Sequence, residues 1–104
     1  MYIVSTETIP GMTVVEAYGL ASGNTVRAKH VGKDILAGFR NLVGGELKAY
    51  TELMTEARTE AVSRMKAEAA SMGANGIVNV RFATSMLTQG AAELYAYGTA
   101  VRVE

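Results

Sequence analysis

Glu93-Leu94-Tyr95-Ala96-Tyr97-Gly98-Thr99-Ala100-Val101-Arg102-Val103 reads as a β-strand with two dry faces. Alternation puts Tyr95, Tyr97, Thr99, Val101 and Val103 on one side and Leu94, Ala96, Gly98 and Ala100 on the other. Both sides are mostly apolar or small, so the strand needs two covers. One long helix in a single protomer supplies one of them. A neighbouring subunit is expected to supply the second, which makes Tyr95, Tyr97, Thr99, Val101 and Val103 the candidate interface residues.

Outward from this strand, Gln89-Gly90-Ala91 is the expected hairpin loop and 77–87 the preceding strand, with Val78, Val80 and Phe82 on one face and Asn79, Arg81 and Ala83 on the other. Before that, 46–72 carries a clear helical signal. Tyr50, Leu53, Met54, Ala57, Ala61, Met65 and Met72 keep to one face, while Glu52, Glu56, Ser63 and Lys66 lie largely opposite. Glu60 and Arg64 form a favourable i,i+4 pair. Gly73 supplies a left-handed cap and Asn75-Gly76 a sharp turn. A shorter helix is expected over 33–43, where Ile35, Leu36, Phe39 and Leu42 recur at helical spacing, stopped by Gly44-Gly45. Toward the N-terminus, residues 2–4 and 12–18 read as strands separated by Pro10-Gly11, Ser22-Gly23-Asn24 as a turn, and 25–29 as a further short strand or extended lead-in. The expected fold class is α+β: a two-layer sandwich with one long and one short helix on a mainly antiparallel sheet. No repeat, low-complexity tract or linker divides the sequence, so residues 1–104 are expected to form one domain.

At 104 residues the core is thin, since such a chain buries only about two-thirds of its unfolded surface. There is no cysteine to reinforce it by disulfide or thiolate–metal bonding. Apolar residues make up 49% of the sequence and charged ones 19%, a balance that favours burial against other subunits. Ten basic and ten acidic residues cancel, so no global field attracts nucleic acid or an anionic membrane, and neither is expected as a partner. The first residues lack the basic and apolar pattern of a secretory leader, and no apolar run approaches a membrane span. The cytoplasm is the expected location.

Four segments together resemble the YbjQ-like family, known under the label of a heavy-metal-binding domain. They are Gly38-Phe39-Arg40-Asn41-Leu42-Val43-Gly44-Gly45, Tyr50 with Ala57-Arg58, Gly73-Ala74-Asn75-Gly76-Ile77-Val78-Asn79-Val80-Arg81, and Ala96-Tyr97-Gly98-Thr99-Ala100-Val101. Their order and spacing cover nearly the whole chain. The resemblance implies a dodecin-like subunit fold and assembly into a closed ring, a pentamer. It brings no catalytic residues with it.

Candidate chemistry is sparse. Soft metals select thiolate and imidazole, yet His30 is the single histidine, so a site of that kind would have to be assembled by symmetry from several copies of it. A solvated loop histidine is the plainer reading. Arg27, Lys29, His30 and Lys33 form the one local basic cluster, placed to hold a phosphate or carboxylate at a helix start or simply to be a solvated basic turn. Glu52 and Glu56, followed by Glu60, stand at i,i+4 on the long helix and suit either a hard cation or an exposed acidic face. Tyr95, Tyr97 and Phe82 suit stacking on a flat ligand, or core packing. No serine lies in a nucleophile-elbow context, and one histidine leaves little room for a triad.

The expected function is therefore a homo-oligomeric protein, partnered by its own copies, that binds a small anion, another small ligand or a metal ion without catalysis. No cofactor is specified. Two alternatives stay open: an enzyme dependent on a divalent cation held by Glu52 and Glu56, and a scaffold that docks another protein.

Overall fold

The computed structural model describes residues 1–28, 48–88 and 91–104. The expected short helix at 33–43, Lys29, His30 and Lys33, and the Gln89-Gly90 loop lie outside the described residues. Among the described residues four strands form one mixed sheet: β1 (Tyr2–Ile3), β2 (Val14–Ala28), β3 (Gly76–Thr88) and β4 (Ala91–Val103), in the order β1-β3-β4-β2. The β2–β4 and β3–β4 pairs are antiparallel, and only the two-residue β1 runs parallel to its neighbour. Among the same residues one helix, α1 (Lys48–Ser71), packs on the sheet. The chain is α+β with a mainly antiparallel sheet, as its sequence predicts.

The long helix lies where the apolar period puts it. Ala57, Ala61, Met65 and Ala69 are fully buried against Ala21, Ile77, Val80, Leu94, Ala96 and Ala100 of the sheet. It ends in a complete Schellman motif: Ala74 N donates to Ala69 O at 3.1 Å and Gly73 N to Ala70 O at 3.0 Å, with Gly73 at φ 92°.

Three expectations need correction. Ser22-Gly23-Asn24 is no turn, because β2 runs unbroken through it, with Gly23 opposite Ala96. The glycine serves close approach instead. A Cβ there would stand 2.2 Å from Ala61 O and 2.5 Å from Met65 N, so only hydrogen lets the helix backbone rest on the strand. Second, Val78 does not share a face with Val80 and Phe82. Asn79 adopts φ 55° and the β3–β4 register shifts between Val78 and Arg81, the mark of a bulge. Ile77 and Val80 thus both reach the helix side, and Val78 joins a separate cluster on the other.

That second cluster corrects the third expectation. Val101 and Val103 need no neighbouring subunit to keep dry. Together with Val78 and Ile9 they are buried, with Val4 and Met12 packed against them, so the N-terminal segment is their lid within one chain. Backbone bonds fix this lid: Val4 N to Ile77 O, Val80 N to Val4 O and Asn79 N to Thr6 O, each 3.0 Å, and a reciprocal pair between Thr13 and Glu104. Asn75 fastens the end of β4 from within the same chain. Its side-chain Nδ2 donates to Val103 O at 2.9 Å and its Oδ1 accepts from Val103 N at 2.8 Å, so the amide acts as one more strand residue.

Candidate functional site

The N-terminal lid covers only the end of β4. Further back, the sheet face opposite α1 carries Tyr95, Tyr97 and Thr99, all half-buried, with Asn24, Ser22 and Leu20 as their partners on β2. Tyr95 and Tyr97 stack on one another, ring centroids 5.2 Å apart and planes inclined by 27°. At the two ends of this row Leu20 is 59% exposed and Val26 51% exposed. Rows of exposed aliphatic and aromatic side chains on one sheet face mark a binding surface more often than scattered single ones do. Polar groups edge the patch: Asn24 Nδ2 donates to Glu93 Oε2 at 3.4 Å, and Arg81 Nη1 donates to Ser5 O at 2.7 Å. Period-two alternation is enough to put the two tyrosines and Thr99 together. It cannot separate them from Val101 and Val103, because the lid that divides the row comes from the other end of the chain.

The helix side has its own concavity. Met54, Arg58, Phe82, Thr84 and Leu94 line an open groove of about 320 Å³. Sequence reasoning missed it, since its walls come from three elements with no shared period. The basic cluster is altered as well. Arg27, its one member among the described residues, binds Glu60 of the helix, which also holds Arg64, and Arg64 Nη1 donates to Asn24 O at 2.6 Å. Glu60 therefore clamps β2 to α1 from both sides, a contact that i,i+4 spacing reveals only in part. Elsewhere Arg102, bonded to Glu104, has its pKa raised above the ordinary arginine value by that hydrogen bond, and it remains a permanent cation.

Glu52 and Glu56 are both exposed on α1. Among the described residues, no three His, Cys, Asp or Glu side chains stand close enough to enclose a metal ion. Neither is any helix among them long and apolar enough to cross a membrane.

A family model described as "Putative heavy-metal-binding" matches residues 1–104. The chain belongs to the YbjQ-like family. Its relatives include a UPF0145 protein of Hahella chejuensis, 60% identical over 104 residues and covering all of both chains. Another, from Archaeoglobus fulgidus, is 60% identical over 101 residues, which is 97% of this chain and 94% of the relative. Among solved structures, a protein of unknown function from the DUF74 family of Pediococcus pentosaceus shares the fold, with a TM-score of 0.64 at 17% identity over 100% of this chain and 98% of the other. For this YbjQ-like chain the donor set does not fit the family's description. Thiolate is absent from the sequence, imidazole occurs once, and the described carboxylates do not converge.

Proposed function

We propose that this YbjQ-like protein is a subunit of a closed homo-oligomeric ring that binds a flat, largely apolar small ligand without catalysing a reaction. The observation that carries the reading is the stacked Tyr95–Tyr97 pair, half-buried on the sheet face opposite α1. Aromatic rings with one dry face and a hydroxyl at the rim bind planar molecules and subunit surfaces alike. A ring that turns this face toward its centre gives it both, by excluding bulk water and repeating the platform once per copy. A head-to-tail contact that closes on itself forms such a ring, and five copies is the number implied by the family resemblance.

Native mass spectrometry of protein purified from its own host tests the reading. The expected spectrum shows a single multiple of the chain mass, with additional mass from retained ligand. Tyr95→Ala and Tyr97→Ala should remove the ligand mass while leaving the helical circular-dichroism signal intact. A folded monomer, or an oligomer whose bound mass is indifferent to both tyrosines, refutes it.

A further inference from the structure

β3 has an open outer edge. β1 pairs only with Gly76 and Ile77, and Val4 and Thr6 accept from Val80 and Asn79, so among the described residues no backbone group bonds the outer side of β3 beyond Val80. Past Arg81 the strand runs Phe82-Ala83-Thr84-Ser85-Met86-Leu87-Thr88, with no charge and no proline. Phe82 is 48% exposed and Met86 68% exposed. Soluble proteins blunt free edges with lysine, proline, bulges or a cover, because unpaired N–H and C=O groups recruit another strand. Neither lysine nor proline is present here. The bulge at Asn79 lies before this run, and a second register shift, between Met86 and Thr88, falls only at its far end, which leaves Phe82 to Met86 as a regular open edge.

The opposite edge of the same sheet is β2. Its irregularities fall between Val14 and Glu16 and between Ala17 and Gly19, and from Leu20 to Ala28 its pairing with β4 proceeds one residue at a time. Its regular half is therefore long enough to match the open part of β3. Both strands run opposite to β4, so β2 and β3 point the same way. A rotation axis lying along the strands keeps that direction from copy to copy.

We infer that the Phe82–Thr88 edge of β3 is covered by the Leu20–Ala28 edge of β2 from a second copy of this chain, in parallel pairing that continues the sheet from subunit to subunit. This rests on the ring reading and names its joint. All copies of α1 then lie on one side of the continued sheet, and the Tyr95–Tyr97 face lies on the other.

Hydrogen exchange on the intact protein, read with its mass in solution, tests the joint. In the assembled protein the outward amides of 82–88 and of 20–28 should both exchange slowly. The double variant Thr84→Lys/Met86→Lys puts two charges on the open edge. It should lose the high-mass species and the protection of both segments while retaining its helical signal, whereas Glu52→Lys on the outer helix face should change neither. An assembly in which both edges exchange as open strands overturns the inference and leaves the ring standing. Protection of 82–88 without 20–28 overturns the choice of β2, pointing to β3 meeting β3 across a two-fold axis. A folded single-copy wild type removes both readings. Because exchange in the wild type decides among these outcomes, a variant that fails to fold does not shield the inference.

Discussion

At the scale of single residues, Gly23 and Asn75 fix how helix and strand meet and how β4 ends. Gly23 sits where helix and strand backbones come closest, and its missing Cβ would collide with Ala61 O and Met65 N, atoms that cannot swing aside as a side chain can. Gly23→Ala is therefore expected to cost about 2–3 kcal/mol, the upper part of the usual range for overpacking, and to lower the urea midpoint without changing the slope. Asn75 works through hydrogen bonds instead. Truncation to alanine strands both the N–H and the C=O of Val103. The expected loss is about 1–3 kcal/mol, with earlier exchange of the Val103 amide as its local signature. Sequence alone read these residues as turn formers, since glycine and asparagine are commonest there. Asn75 does lie in a bend, but the partners that overturn the reading for Gly23 and give Asn75 its second role lie on other elements.

At the scale of elements, legibility follows how local the cause is. The buried face of α1 and its Gly73 cap depend on residues three to five positions apart, and both were readable from spacing. The alternation of β4 was equally plain and led to Tyr95 and Tyr97. In β3 the alternation of Val78, Asn79 and Val80 looked just as regular, yet the strand carries a bulge that reverses the face of Val78. Hydrophobic pattern holds no record of backbone dihedrals, and a left-handed asparagine leaves only a faint sequence trace. The bulge feeds two clusters at once, Ile77 and Val80 toward the helix and Val78 toward the N-terminal lid. Asn79→Gly should change stability by less than about 0.5 kcal/mol, since glycine accepts the same φ. Asn79→Val should lose roughly 1–2 kcal/mol from forcing a β-branched residue into the left-handed region. Chemical denaturation of the pair separates backbone strain from side-chain loss, because both variants remove the amide and only one adds strain.

At the scale of the whole molecule, the N-terminal lid divides the work of the helix-free sheet face. Where it reaches, Val101 and Val103 are core; beyond its reach, the tyrosine pair is half-buried and Leu20 is exposed. The sequence could not show this division, since it depends on where a segment from the far end of the chain comes to rest. The same view of the whole chain bears on metal. A closed soft-metal site needs about four thiolate or imidazole ligands, and this chain offers no cysteine and a single histidine. Glu52 and Glu56 lie exposed on one helix, and two solvated carboxylates hold a hard cation only weakly. Titration with zinc or cadmium, followed by equilibrium dialysis and elemental analysis, should therefore leave fewer than one tightly held ion per chain. A chelator should change neither the thermal midpoint nor the solution mass, because a site absent from the native state contributes no linkage to its stability. One ion per chain, lost in Glu56→Gln, would instead assign the helix carboxylates a metal and reopen the cation-dependent alternative. One ion per assembly, lost in His30→Ala, would place a shared imidazole site on the symmetry axis.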